Sequence, residues 1–314
     1  MATLIPTIHR ETILLFGDSI TELSVDHGGF SASLAYAYRR KADVITRGYS
    51  GYNTRHAIAI APRVYSSSSS SSILFTTIFF GANDSSSIIP FKISDSPEHY
   101  KPSQHVPLEE FENNLIEIII QALLTTRKDG LIIVISPPPV NRKKWPDRSN
   151  LSVEKYTSAV SRAVSTSNEK RDHLNTAKVV HLNLFEAMYI INGSIVDSEE
   201  IISPYEQYLS DGLHLSIEGN KVISDSILKL INEHAKTISP ESLPLDLPLW
   251  MDATIQANVL PEMTQEEAKE AYTKFAFDTV SLEKMKINPK PLPARPILPP
   301  GLASLELQAN KKGE

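Results

Sequence analysis

Short apolar runs that stop abruptly at glycine-containing polar turns alternate with stretches of helical periodicity along most of this chain. The first run, Ile13-Leu14-Leu15-Phe16, ends in Gly17-Asp18-Ser19. An unbroken apolar segment of that length predicts a buried strand, and a glycine permits a sharp exit from it. Phe30–Lys41 carries aromatic, Ala and Leu positions and finishes in Arg39-Arg40-Lys41. Cations suit the last turn of a helix, so a helix is predicted over this range. Val44–Thr46 predicts a brief second strand, followed by a helix over about residues 54–65. Ile73–Phe80, rich in Ile, Phe and Thr, is the strongest strand signal and stops at Gly81-Ala82-Asn83-Asp84. Leu108–Arg127 repeats apolar residues at Phe111, Leu115, Ile118, Ile119 and Ala122, the stripe of an amphipathic helix. Leu131–Ile135 predicts a fourth strand, broken by Pro137-Pro138-Pro139. A helix follows from Asn150 to about Asp172, with Ser149 or Asn150 as its cap. Val179–Leu184 reads as a fifth strand and Ile217–His234 as the last helix of the series.

Strands alternating with helices through short connections imply a parallel sheet covered on both faces. Ligands in such folds gather at the carboxyl ends of the strands, where Ser19 is expected. Two stretches break the pattern. Ser66–Ser72 is seven consecutive serines with nothing to bury, a solvated connector. From Ser239 onward the chain turns proline-rich, with ten of the 21 prolines in residues 239–300. Within it, Met263–Lys286 has the marks of a charged helix, Thr264 as cap and Glu267 in the capping-box position. We therefore expect one domain over residues 1–238 and an extension over residues 239–314.

Composition narrows the classes. The 314 residues are 41% hydrophobic and 22% charged, ordinary for a globular protein. A net charge of -6 argues against a nucleic-acid surface, and no apolar run reaches the roughly 20 residues of a membrane helix. The absence of cysteine excludes disulfides, thiolate metal sites and cysteine nucleophiles. Met1–Arg10 lacks the basic and apolar regions of a signal peptide, so a cytoplasmic location is expected.

A serine becomes a nucleophile only when an oriented base takes its proton. Of nine histidines, His214 stands out because it closes Asp211-Gly212-Leu213-His214. A carboxylate three residues earlier, in a turn opened by glycine, can reach the imidazole Nδ1 and leave Nε2 as the base. A capping aspartate beside a surface histidine is the other reading of the same four residues. Negative charge developing on a substrate oxygen also needs hydrogen-bond donors. The backbone N–H groups of Ser19 and Gly51 and the side-chain amide of Asn83 follow the first, second and third predicted strands. Asp18 and Asp84 are expected to brace loops through backbone hydrogen bonds. Asp95, Glu98, His99 and His105 lack regular metal-ligand spacing and read as solvated loop.

These residues resemble the SGNH (GDSL-type) hydrolase superfamily. The likeness rests on Gly17-Asp18-Ser19, on Gly51 within Gly48–Arg55, on Gly81-Ala82-Asn83-Asp84 and on Asp211-Gly212-Leu213-His214, all in the family's order. Phe16–Glu22, Arg47–Arg55, Phe80–Asp84, Arg142–Trp145 and Asp211–Leu215 resemble the isoamyl-acetate-hydrolysing esterases in particular. The resemblance covers about residues 11–255. It implies a flavodoxin-like three-layer α/β/α sandwich with a five-stranded parallel sheet of order 2-1-3-4-5. It further implies Ser19 as nucleophile, His214 as base, Asp211 as its orienter, and Ser19, Gly51 and Asn83 as the oxyanion hole. No metal or cofactor is implied. The expected substrate is a small ester, an acetate of a short alcohol, and the subfamily suggests a homodimer. Leu23, Ile88, Val140, Trp145 and Leu213, on loops after strands or beside the Asp211–His214 turn, are expected near the acyl or alcohol group. The alternatives are a deacetylase of acetylated sugars, a lysophospholipase, or a non-catalytic scaffold that recruits partners through the proline-rich extension.

Overall fold

The computed structural model describes residues 10–66, 73–88, 103–171, 177–189, 204–247 and 249. Within them the chain runs β1 (Glu11–Gly17), α1 (Ser19–Glu22), α2 (Phe30–Ala37), β2 (Ala42–Gly48), α3 (Thr54–Ser66), β3 (Ile73–Phe79) and α4 (Leu108–Leu123). It continues through β4 (Thr126–Ile135), α5 (Asn150–Arg171), β5 (Lys178–Leu182), α6 (Leu184–Tyr189) and α7 (Ile217–His234). The five strands form one all-parallel sheet of order β2-β1-β3-β4-β5. Almost all of the described residues belong to one compact unit, Ile5–Leu247. The other unit, Met1–Leu4 with Pro248–Glu314, lies outside them apart from Leu249. The helix expected over Met263–Lys286 and all but the first residue of the serine tract also lie outside the described residues.

Strand alternation splits the core in two. Ile13 and Leu15 of β1, with Leu131, Ile133 and Ile135 of β4, face α2 and α7 through Phe30, Leu34, Ile223, Ile227 and Ile231. Leu14, Phe16, Ile132 and Val134 face the opposite way, onto α3, α4 and α5 through Ala57, Ala61, Phe111, Leu115, Ile119 and Val160. The central strands β1, β3 and β4 are apolar on both faces over most of their length because helices cover both, which is why the sequence shows continuous runs there.

Register decides where the loops emerge. Gly17 pairs with Gly48 and Phe79, Phe79 with Ile135, and Ile135 with Leu182, so all five strands end at one level. The segments after β1, β2 and β3 therefore start side by side. Gly17 is needed there for space. A Cβ would lie 2.1 Å from Thr21 Oγ1 and 2.6 Å from the Phe79 carbonyl oxygen. Its φ is not in the left-handed region, so close approach, not a special turn conformation, requires the glycine.

Several element boundaries depart from expectation; β5 ends at Leu182, two residues early, because Leu184 opens the unexpected α6. α2 stops at Ala37, and Arg39-Arg40-Lys41 follow it in a turn with Arg40 at φ 60°. Arg39 donates to the Tyr36 carbonyl at 3.1 Å in the last turn of α2, whereas Arg40 and Lys41 serve a later segment. The Arg40 guanidinium donates to the Leu247 carbonyl at 2.7 Å and pairs with Asp246, and Lys41 donates to the Pro240 carbonyl. The fully buried Tyr38 donates its hydroxyl to the Ile238 carbonyl at 2.9 Å. Residues 238–247 are thus bound to the α2–β2 turn. α4 ends at Leu123, and β4 begins at Thr126 instead of Leu131. The extra residues, Arg127-Lys128-Asp129, are polar and partly exposed, so their extended conformation leaves no apolar signature.

Candidate active site

Ser19 is the first residue of α1, directly beyond the end of β1. The Asp18 Oδ1 caps this short helix by accepting the Ile20 N–H at 2.9 Å. Backbone N–H groups in a first helical turn have no intrahelical partner, so that of Ser19 is available to a ligand. The Ser19 Oγ lies 2.9 Å from His214 Nε2, and His214 Nδ1 lies 2.7 Å from Asp211 Oδ2.

The Asp211–His214 turn is fixed largely by its own residues. Asp211 Oδ1 accepts the Leu213 N–H at 2.9 Å and the His214 N–H at 2.8 Å. Ser210 donates its N–H to the His214 carbonyl at 2.8 Å, closing the turn just before Ser216 caps α7. Burial pushes the Asp211 carboxyl up. Hydrogen bonds from the His214 ring, the His214 N–H and the Leu213 N–H outweigh that and hold it below the usual carboxylate range. A carboxylate facing Nδ1 accepts a hydrogen bond from its N–H, which keeps the proton there and leaves Nε2 as the acceptor for the Ser19 hydroxyl. Trp145 braces the turn from outside, its Nε1–H donating to the Asp211 carbonyl at 3.2 Å and its ring meeting His214 edge-on at 6.3 Å.

Gly51 and Asn83 stand on the neighbouring loops. Gly51 adopts φ +78°, a conformation suited to glycine, and its carbonyl accepts a hydrogen bond from Gln104 Nε2 at 2.7 Å. The preceding Ser50 N–H donates to Glu22 Oε2 at 2.6 Å. Asn83 is buried. Its Nδ2 donates to the Tyr52 carbonyl at 2.8 Å, and its Oδ1 accepts from Arg148 Nη2 at 3.0 Å. An amide nitrogen carries two hydrogens, so one remains for another acceptor.

Asp18 and Asp84 are fully buried, and each accepts a backbone N–H. Asp84 Oδ1 takes both the Thr54 N–H at 2.9 Å and the Thr54 hydroxyl at 2.5 Å. The second carboxyl oxygen of each aspartate is buried without a hydrogen-bond partner. Burial pushes Asp18 up to about 7 and Asp84 up to about 6.

The residues expected around the substrate divide. Leu23, 45% exposed, lines a cavity of about 220 Å³ beside His214, together with Ile20, Leu215, Ile217 and Asn220. Trp145 stands against the Asp211–His214 turn. Ile88 is 71% exposed and is not among the residues of that cavity. Val140 and Leu213 are packed in the core and present no surface to a ligand. The loop after β4 turns Val140 inward because the Asn150 side chain clamps its backbone, accepting its N–H at 2.9 Å and donating to its carbonyl at 3.2 Å. Leu213 is turned inward by the tight Asp211 turn. Of the loop cluster with scattered His and acidic residues, His105 places Nδ1 2.8 Å from the Ser86 carbonyl, and Asp95, Glu98 and His99 lie outside the described residues.

Pattern reading missed Arg148, Gln104 and Glu22, which hold the Asn83 and Gly51 loops. Each is a single polar residue in or near a loop, and no spacing links any of them to its partner. Among the described residues no group of His, Asp and Glu side chains could hold a metal ion, and no helix is long and apolar enough to cross a membrane.

Comparison with known proteins agrees with the geometry. The family model of GDSL-like lipases and acylhydrolases matches residues 13–227. A GDSL esterase/lipase of Arabidopsis thaliana is 37% identical over 246 residues, 76% of this chain and 92% of the relative. Isoamyl acetate-hydrolyzing esterase 1 homologs of Bos taurus and Homo sapiens are each 36% identical over 256 residues, 80% of this chain and 90% of theirs. Among solved structures, a lipase/acylhydrolase from Enterococcus faecalis shares the fold with a TM-score of 0.51. It is 20% identical and covers 76% of this chain and 100% of its own. The chain belongs to the GDSL-like lipase/acylhydrolase family and is a carboxylic ester hydrolase.

Proposed function

We propose that the enzyme hydrolyses small carboxylic esters, foremost acetates of short alcohols, through a covalent acyl intermediate on Ser19. The observation that carries this reading is the continuous hydrogen-bond chain from Asp211 through His214 to Ser19, at 2.7 and 2.9 Å. His214 Nε2 takes the hydroxyl proton as Ser19 Oγ attacks the ester carbonyl carbon. The carbonyl electron pair moves onto oxygen, where the Ser19 and Gly51 N–H groups and Asn83 Nδ2 receive it. Collapse of that intermediate breaks the bond to the alcohol oxygen, which leaves with the proton from His214. Water then repeats the sequence on the acyl-serine and releases the acid. Asp211 holds the ring in the productive tautomer throughout.

Because His214 protonates the departing alcohol, the alcohol lies on its side of the site, where the cavity of about 220 Å³ opens. Ile20, Leu23, Leu215 and Ile217 give that cavity apolar faces that can hold a short hydrocarbon, alongside polar lining from Asp26, His27 and Asn220. The names of the isoamyl acetate-hydrolyzing relatives point the same way.

Purified enzyme is expected to release p-nitrophenol from p-nitrophenyl acetate, and Ser19→Ala to lose nearly all of that rate. Full activity in Ser19→Ala overturns the reading. A panel comparing isoamyl acetate, acetylated sugars and lysophospholipids tests the substrate class, with the highest kcat/KM expected on isoamyl acetate.

A further inference from the structure

Arg148 is a buried cation with a demanding geometry. Its side chain is 3% exposed and precedes α5 by two residues. Nη1 pairs with Asp147 at 2.7 Å, and Nε donates to the Ala82 carbonyl at 3.1 Å. Nη2 is shared between Asn83 Oδ1 at 3.0 Å and Gln104 Oε1 at 3.3 Å. Burying a guanidinium is costly unless its donors are satisfied. Here three of its four hydrogen-bond partners are neutral carbonyl oxygens, two of them on amide side chains, and its guanidinium also lies over the Trp145 ring at 5.1 Å. Both amides point their nitrogens toward the same region. Asn83 Nδ2 donates to Tyr52 O, and Gln104 Nε2 donates to Gly51 O. One cation therefore stands behind both of the loops that flank Ser19.

We propose that Arg148 is the positioning residue of the oxyanion hole, acting directly on Asn83 and, through Gln104, on Gly51. The proposal rests on the reading of Ser19, Gly51 and Asn83 as the reacting centre. Its physical basis is the chemistry of the guanidinium, which has donors and no acceptor. An asparagine amide rotates broadly about its last torsion and can present either end. Facing Arg148, Asn83 must present oxygen, because a flipped amide would set NH₂ against N–H. That fixes Nδ2 on the substrate side. A charge-assisted bond to Oδ1 also polarises the amide and makes its N–H groups stronger donors. Gln104 faces the same constraint: its oxygen turns to Arg148 and its nitrogen holds the Gly51 carbonyl, which sets the plane of the neighbouring peptide.

The test is a double-mutant cycle on the full chain with p-nitrophenyl acetate. Asn83→Ala is expected to lower kcat by about 100-fold, as loss of one oxyanion donor does. Arg148→Met, which removes the orienting cation and leaves the donor in place, is expected to lower kcat by about 10- to 50-fold on the same scale, with KM within about threefold of wild type. In the Asn83→Ala background Arg148→Met should cost clearly less than it does alone, because one of its two targets is gone and only the path through Gln104 to Gly51 remains. Full additivity of the two losses overturns the proposal, as does an Arg148→Met enzyme with wild-type kcat. If Arg148→Met does not fold, judged by circular dichroism, Arg148→Lys and Gln104→Ala carry the test. Both are expected to lower kcat while leaving KM and the far-UV spectrum unchanged, and wild-type kcat in both overturns the proposal. Activity retained in Ser19→Ala would remove the parent reading. An essential Ser19 with an additive cycle would remove this inference alone.

Discussion

Asp211 and His214 lie three residues apart in one turn, with side chains 47% and 21% exposed, and the bonds that orient the imidazole lie within that turn. Across Ser19, the Asn83 and Gly51 loops are held by Glu22, Gln104 and Arg148, drawn from three separate segments. Arg148 lies 65 positions from Asn83, Gln104 lies 53 from Gly51, and Arg148 lies 44 from Gln104. One side of the site is thus assembled by local chain geometry and open to water. The other is buried around Asn83 and Arg148, half-buried at Gly51 and Gln104, and exists only once the whole sheet has closed. In the mechanism proposed above the base accepts a proton from an entering water, and exposure suits that. Donors that await a developing charge are most effective when fixed in a dry environment.

The largest effect that tests this contrast is on the base side. Asp211→Asn keeps an oxygen for the Leu213 and His214 N–H groups and so keeps the turn, but an amide NH₂ facing Nδ1 favours the wrong ring tautomer. We expect kcat/KM to fall by about 10³. That is less than the ~10⁴ of a buried triad aspartate, because water reaches Asp211. A loss below tenfold would show that the turn orients His214 without the carboxylate. Asn83→Ala should come next, with the roughly 100-fold loss given above. Because the Ser19 and Gly51 donors remain, its turnover should stay measurable over the uncatalysed rate.

The same contrast explains what the sequence displayed. The strand–helix alternation was legible because the central strands β1, β3 and β4 are covered on both faces and each carries an unbroken buried, mostly apolar run. Asp211 and His214 were legible because their partnership is a spacing of three. Gly51 and Asn83 were legible as types at strand ends, without the side chains that orient them. Arg148 was not, since its meaning depends on which loops meet beyond the sheet edge, and register decides that. Val140 and Leu213 misled for the opposite reason. Apolar residues beside a site look like pocket wall, but Asn150 and the Asp211 turn direct these two into the core.

A smaller effect probes the Gly51 loop without touching the buried network. Glu22 Oε2 accepts the Ser50 N–H at 2.6 Å from an exposed side chain. Glu22→Ala should lower kcat by about two- to fivefold, the scale of one solvent-accessible hydrogen bond. Glu22→Gln, which retains an acceptor, should recover most of the loss. Equal losses in both variants would show that charge, not the hydrogen bond, holds the loop.

The smallest effect on activity is expected at Asp84, where the informative readout is thermal stability against pH. Burial pushes this carboxyl up to about 6, against an ordinary value near 3.9 in an unfolded chain. The folded state therefore holds the proton more tightly between those values. The stability this contributes is full below about pH 4 and is lost as pH rises through about 6. Asp18, pushed up to about 7, acts with the same sign over the adjoining range. Asp84→Asn retains an oxygen for the Thr54 N–H and hydroxyl and removes the titration. Its Tm relative to wild type should thus be higher at pH 8 than at pH 5, with kcat changed less than about threefold. A constant difference across that range would show that Asp84 does not titrate there. Asp211 runs the other way: its carboxyl is held low, so its contribution is present above the ordinary carboxylate range and lost as pH falls through its folded value. Acid therefore weakens the exposed Asp211–His214 turn while it relieves the buried carboxyls behind the Asn83 and Gly51 loops, and Asp84→Asn removes one of those buried responses without touching the other side.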